Sequence, residues 1–321
     1  MNNQDKKETF LSLESTPKKI LFFLGVVLCI TPYISPALAL LMGILIAQFI
    51  GHPYASINSK VTGYLLKISV VGLGFGLNVT TALQTGKDGF IFTVISIISI
   101  LVFGYFLGKL FKVEKKTSYL ISAGTAICGG SAIAAISPII KAKENQISIA
   151  LGTVFILNSV ALIIFPYIGT SLNLSQTQFG MWCAIAIHDT SSVVGAASTY
   201  GNEALTIATT VKLARALWII PLGFLSAFIF KTKGSKVKIP YFIFLFILAI
   251  ILSTYVPFIE NYKDIIVEIA KKGLTLTLFL IGCGLNRSLI RSAGLKPILQ
   301  GIILWGFISI TALWTIIYFY N

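Results

Sequence analysis

Long apolar runs succeed one another through nearly the whole chain, separated by short polar loops, and this confines the fold to a lipid solvent. Eleven segments can be delimited at about 19–33, 36–51, 61–83, 89–111, 117–140, 146–168, 177–199, 203–230, 239–257, 264–286 and 295–319. Most reach the roughly 20 residues that a helix needs to cross about 30 Å of hydrocarbon. Backbone polar groups in lipid must be satisfied within the structure itself, which leaves helices or closed barrels. Barrel strands are short and alternate in polarity. These runs are too long and too continuous for that, so the expected fold class is an all-α membrane protein.

Only 11% of the residues are charged and 56% are hydrophobic, against roughly 25% charged in a soluble domain. Such a chain cannot cover a water-facing surface. The expected organisation is a cytoplasmic N-terminal tail, 1–18, followed by a single polytopic transmembrane domain, 19–321, with two related halves. The formal net charge of +14 raises the question of nucleic acid. The lysines answer it by their placement. Lys109, Lys112, Lys115 and Lys116, then Lys231, Lys233, Lys236 and Lys238, cluster between apolar runs, as topology-setting cytoplasmic loops do. No nucleic-acid partner is expected. The partners are the bilayer and a small anionic substrate, and the chain is compatible with a homo-oligomer.

Cys29, Cys128, Cys183 and Cys283 each lie in an apolar stretch without CxxC spacing, so small packing residues are expected rather than a metal site. Ala37-Leu38-Ala39, after Lys18 and Lys19, resembles a signal cleavage site. The apolar run continues to Ile50, and two membrane helices are the better reading.

If the N-terminus is cytoplasmic and every segment crosses, the inner side holds Lys6, Lys7, Lys18, Lys19, Lys60, both lysine clusters, Arg287, Arg291 and Lys296. The outer side holds only Lys87, Lys141, Lys143, Lys263, Lys271 and Lys272. That bias favours a cytoplasmic N-terminus.

The chain also repeats itself. Gly74-Phe75-Gly76-Leu77-Asn78 matches Gly282-Cys283-Gly284-Leu285-Asn286, and Ala126-Ile127-Cys128-Gly129-Gly130-Ser131 resembles Ala186-Ile187-His188-Asp189-Thr190-Ser191. Inverted repeats of this kind are found in transporters; chance similarity among small residues is the alternative. With eleven crossings the first pair is antiparallel and the second parallel. Both become inverted if the fifth and seventh segments are re-entrant hairpins, which also moves Lys141 and Lys143 inside. Broken helices that still cross are the alternative. Either way Gly129-Gly130 with Pro138, and His188 through Ser192 with Gly195, weaken helix within a span, which lipid tolerates only where protein or a cavity satisfies the backbone. Helix starts at such breaks can hold an anion.

Charges inside the spans are few: Lys67, His188, Asp189, Lys212 and Arg215. Each costs about 2.5–3.5 kcal/mol on insertion scales and needs a reason. Lys67 can snorkel to the interface. Lys212 and Arg215 lie three apart on one helical face, and an ion pair from Asp189 to one of them is expected. Such pairing could serve only to neutralise buried charge. The functional alternative is that two cations against one carboxylate hold an anion, with His188 or Asp189 taking a proton. The candidate substrate-binding set is therefore Cys128, Gly129, Gly130, Ser131, His188, Asp189, Thr190, Ser191, Ser192, Lys212 and Arg215, with Asn78, Asn286, Asn158 and Pro138 as helix-breaking or structural residues. Asn158 and Ser131 can also line a cavity. GxSxG, HExxH and Walker A patterns are absent, so no enzyme, catalytic residue, metal or cofactor is expected. Gly72, Gly74 and Gly76 suit close helix packing instead.

The stretch Ser122 to Ala135, the run His188 to Ala196, Lys212-Leu213-Ala214-Arg215 and the Gly74-to-Asn78 motif together resemble the bacterial UPF0324-type family labelled as sulfate exporters. The resemblance covers nearly the whole chain after the tail. It implies a multi-pass transporter of the bacterial inner membrane, distantly similar to the cation/proton antiporter and bile-acid transporter group, with inverted repeats and crossed, broken helices. The leading expectation is a secondary transporter exporting a small oxyanion of sulfate, sulfite or sulfonate type, with proton coupling as one form. The alternatives are a cation/proton antiporter with Asp189 as ion site, and a non-transporting receptor or membrane enzyme.

Overall fold

The computed structural model of the chain describes residues 15–88, 90–231, 241–284 and 294–319. All regular structure among them is helical. In chain order the elements are α1 (Ser15–Ile30), α2 (Pro36–Leu45) with a π-helical turn (Ile46–Ile50), α3 (Ala55–Gly74), α4 (Val79–Asp88), α5 (Phe90–Leu110), α6 (Lys115–Ala126), α7 (Gly130–Ile139) and α8 (Glu144–Ser171). They continue with α9 (Gln176–Ala186), α10 (Thr190–Tyr200), α11 (Asn202–Ala216), α12 (Ile219–Ile229), α13 (Phe242–Tyr255), α14 (Pro257–Glu260), α15 (Lys263–Gly284) and α16 (Leu295–Phe319). Four helices are long and apolar enough to cross a membrane by length and composition: α5, α8, the α11–α12 run Asn202–Ile229, and α16. The remaining helices are shorter or less apolar. The third sequence segment, expected as one run over 61–83, is two helices, because Phe75–Asn78 ends α3 and α4 restarts at Val79. Asn78 sits at that restart, exposed. Its repeat partner Asn286 lies outside the described residues, as do most of the tail 1–18 and Lys233, Lys236 and Lys238.

Side-chain caps fix several helix starts. Ser35 Oγ accepts from Leu38 N ahead of Pro36 in α2. Ser175 and Gln178 form a reciprocal capping box at α9, satisfying N–H groups that a helix start leaves open. At the other ends, Lys112, Lys141, Asn173 and Lys231 take positive φ just after α5, α7, α8 and α12. Three of these four are lysines, whose charge suits the negative end of a helix dipole.

The chain forms two compact units. One contains α1–α3 and α13–α15. Its core includes Phe22, Cys29, Ala39, Ile46, Phe279, Leu280 and Cys283. Here α2 and α15 meet backbone to backbone: a Cβ at Gly282 would collide with the Leu40 carbonyl, and one at Gly43 with that of Phe279. The packing role expected of Gly74 holds, since a Cβ there would meet the Phe246 carbonyl, and Gly282 shows the same close approach.

The other unit contains α4 from Thr80 onward, α5–α12 and α16, and its plan follows from α8. This helix of 28 residues is about 42 Å long at ~1.5 Å per residue. Near its start, Gln146 Nε2 donates to Glu114 Oε1 at the beginning of α6. Lys116 Nζ, also early in α6, donates to the Lys141 carbonyl just past α7 at 2.7 Å. The outer ends of α6 and α7 are therefore together, and the pair is a hairpin. Beyond the other end of α8, Tyr200 at the end of α10 donates its hydroxyl to the Leu174 carbonyl at 2.6 Å and stacks on Phe179 of α9 at 3.7 Å. So α9 and α10 are also a hairpin, rooted at the opposite end of α8. Each arm has 10 to 12 residues, or about 15–18 Å, half of a hydrocarbon core of about 30 Å.

The α11–α12 run returns antiparallel to α8. Gln176 Oε1 accepts from Glu203 and Ala204 N–H at the base of the α9–α10 hairpin. Tyr119 and Ser226 share a 2.8 Å hydroxyl contact toward the base of the other. Helix α5 packs on α6 where Gly104 and Gly108 leave room for Ser122 and Ser118. Buried Gln300 of α16 donates to Ser118 Oγ at 2.8 Å and to the Gly104 carbonyl at 3.2 Å.

Candidate functional site

The two hairpin tips meet beside the middle of α8. Gly129, between α6 and α7, has φ +61 and ψ −123, a backbone region that favours glycine. A Cβ there would stand 3.3 Å from the His188 carbonyl carbon and 3.4 Å from Asp189 Cα, in the other tip, and 3.2 Å from Val154 of α8. Asn158 lies near the midpoint of α8. Its Oδ1 accepts from both His188 N (3.1 Å) and Asp189 N (3.2 Å). These are backbone donors that the break would otherwise leave unpaired in a buried place.

Each tip brings together the C-terminus of one short helix and the N-terminus of the next, and so both signs of helix dipole. The negative ends are met by the cations of α11. Lys212 Nζ donates to the Ile187 carbonyl at 2.6 Å and the Ala184 carbonyl at 3.3 Å, completing α9. Arg215 Nε donates to the Ala126 carbonyl at 2.8 Å, completing α6, and its Nη1 donates to Ser96 Oγ of α5 at 2.9 Å. Both cations are fully buried. The positive ends differ. At α10, Asp189 Oδ2 accepts from Ser191 N–H and from the Ser191 hydroxyl, so the helix supplies its own carboxylate cap. At α7 the equivalent residue is Gly129, and no side chain caps the helix.

The expected ion pair from Asp189 to Lys212 or Arg215 does not form. Among the described residues the salt bridge is Lys263–Glu260 at the surface. The carboxylate is used as a helix cap and the cations as carbonyl partners, because helix ends lie nearer to each than the opposite charge.

The sequence-predicted residues therefore assemble in large part. Cys128, Gly129, His188, Asp189, Thr190, Ser191, Ser192, Lys212 and Arg215 are buried around the tips. Gly130 is half-buried and Ser131 exposed at the start of α7. Pro138 lies exposed in the last turn of α7, away from the tip. Ser96 and Thr125 join the set; neither is among the residues expected to form the site, Ser96 being one of several hydroxyls in an otherwise apolar helix. Several polar atoms here are buried without a hydrogen-bond partner: Thr125 Oγ1, Asn158 Nδ2, both ring nitrogens of His188, and Arg215 Nη2. Buried polar groups are normally paired, and this concentration sets the seam apart from ordinary core. Beside α11, a cavity of about 290 Å³ lies against Thr93, Val211, Ala214 and the ring pair Phe90–Trp218.

Comparison with known proteins bears on the whole of this architecture. Residues 18–301 match the family model described as conserved hypothetical protein 698. The chain is 54% identical to a UPF0324 membrane protein of Bacteroides thetaiotaomicron over 88% of this chain and 86% of that one. It is 49% identical to one of Porphyromonas gingivalis, over 97% and 98%, and 52% identical to one of Vibrio parahaemolyticus, over 92% and 97%. No solved structure matches the chain. Identity of about one half across almost the full length, spanning both hairpins and α11, leaves a plain conclusion: this multi-pass membrane protein belongs to the UPF0324 family.

Proposed function

We propose that the chain is a secondary transporter of the bacterial inner membrane that exports a small oxyanion of the sulfate, sulfite or sulfonate class. The observation that carries this reading is the asymmetry of the two tips. At α10 the positive helix end is filled by Asp189, whereas at α7 the equivalent position is Gly129 and no side chain fills it. Arg215 stands beside that tip through Ala126 and keeps Nη2 unpartnered. An anion at the start of α7 would meet backbone N–H groups, the helix dipole and a guanidinium together. Asn158 Nδ2 is a further unpaired donor in the seam. Both ring nitrogens of His188 stand unpartnered in the seam, and proton coupling through this imidazole is part of the proposal.

The inverted repeat and the eleven-segment count belong to the same reading. Two hairpins rooted at opposite ends of α8 are the arrangement an inverted repeat produces. The lysines Lys109, Lys112, Lys115, Lys116, Lys141 and Lys143 gather at the α6–α7 base, which supports a cytoplasmic position for that end and a cytoplasmic N-terminus.

Flux into proteoliposomes tests the proposal. Labelled sulfate or sulfite should enter saturably, and Arg215→Gln should abolish entry while the protein still inserts and folds. Sodium movement with no anion movement would instead favour Asp189 as the site of a cation/proton antiporter. Full anion flux through the Arg215→Gln protein would remove the guanidinium from the site.

A further inference from the structure

A second concavity of the same unit lies away from the tips, at the base of the α6–α7 hairpin. It runs between α5, α6 and α12 and encloses about 850 Å³. Its walls are apolar, with Ile98, Val102, Phe106 and Leu225 prominent. The hydroxyls on its lining already have partners. Ser118 accepts from Gln300, and Tyr119 pairs with Ser226. An apolar chain lying there would leave no polar group newly stranded.

The charge on the lining is of one sign. Lys109, Lys112 and Lys115 contribute to it and are exposed, and no carboxylate does. Two of the ammonium groups are held over aromatic rings: Lys109 Nζ lies 4.5 Å from the Tyr105 ring centroid and Lys115 Nζ 5.2 Å from that of Phe230. Such contacts are attractive and keep both cations beside the groove. Glu114, the nearest acid in sequence, is engaged by Gln146.

We propose that this groove is a specific site for an anionic phospholipid, its acyl chains against the apolar wall and its phosphate on Lys109, Lys112 and Lys115. A hydrophobic trough with a three-lysine end matches an amphiphile with an anionic head. A zwitterionic lipid would fill the trough but bring no net negative charge to the lysines, and a free phosphate would bring the charge without filling the trough. Basic pockets beside membrane helices recognise acidic headgroups in this way.

Native mass spectrometry and thermal unfolding of the purified full chain test the site. The probes are palmitoyl-oleoyl phosphatidylglycerol, phosphatidylcholine with the same chains, and glycerol phosphate alone. The phosphatidylglycerol should be retained on the chain and raise the unfolding midpoint, with little effect from the other two. The triple variant Lys109→Gln, Lys112→Gln, Lys115→Gln should lose retention and shift while melting like the parent without added lipid. Val102→Trp, which fills the trough and spares the lysines, should lose them as well. Equal retention of phosphatidylcholine, an equal shift from glycerol phosphate, or an unchanged response in the triple variant would overturn the proposal. Anion transport is not the readout, so the outcome stands apart from the function proposed above.

Discussion

Lys212 Nζ lies 2.6 Å from the Ile187 carbonyl oxygen, so a lysine of α11 completes the C-terminus of α9. Replacing it by Met keeps the apolar stem and removes the donor. The carbonyls of Ile187 and Ala184 then lose their partner in a buried place, and Asp189 loses a nearby cation. Relief of the desolvated ammonium offsets part of this. We expect Lys212→Met to lower stability by about 1–3 kcal/mol, the usual cost of stranded buried groups. A chemical-denaturation midpoint equal to that of the parent would show that the cap contributes nothing.

Asn158 Oδ1 is the acceptor for two N–H groups of the other hairpin tip. Leu is close to it in size and cannot accept. Asn158→Leu should therefore destabilise by about 1–3 kcal/mol for each stranded donor. Hydrogen exchange should quicken at His188 and Asp189 before it does elsewhere in α10. Uniform protection across the tip would contradict the assignment.

Ser131 is exposed in the first turn of α7. A carboxylate there suits the helix, by about 0.3–1 kcal/mol, so Ser131→Asp should fold. The same carboxylate competes with an anion for the start of α7. Anion flux should fall about tenfold, which needs only ~1.4 kcal/mol, whereas Ser131→Asn should leave it largely intact. Similar flux in the two variants would move the anion away from α7.

The hairpins make a topological prediction. Lys116 and Lys141 share one base, whereas Asn173 lies beyond the far end of α8. The four native cysteines are buried and leave little background. Single cysteines at 116 and 141 should react with an impermeant maleimide from the same face, and one at 173 from the opposite face. Labelling of 116 and 141 from opposite faces would show that the fifth segment crosses.

Much of this plan was legible from residue chemistry. Gly129-Gly130 and the polar run from His188 to Ser192 announce breaks, because lipid penalises an open backbone. The conflict between the two motif pairs left hairpins and broken crossing helices both open, and the contacts Lys116–Lys141 and Tyr200–Leu174 fold each helix pair back on itself. What sequence could not supply was the partner of each charge. Lys212 and Arg215 suggested a carboxylate because opposite charges are the partners a sequence displays. The carbonyls at Ala126 and Ile187 have no residue signature, since any amino acid ending a helix there would present one. Ser96 was hidden for a related reason. A serine among the apolar residues of α5 reads as packing until another helix delivers a guanidinium to it. The division of α3 from α4 was missed because Phe75–Asn78 is apolar enough to pass as continuous span.

Gly129 has no side chain, and the tips lie so close that a Cβ there would already touch the His188 and Asp189 backbone. A membrane that keeps its energy as an ion gradient is drained by any standing leak. If the proposed transport runs between the tips, the missing Cβ at Gly129 sets how closely they can approach, and a solute would pass only by parting them. On that reading, a bound solute would have to favour the parted form over the shut one by its own binding.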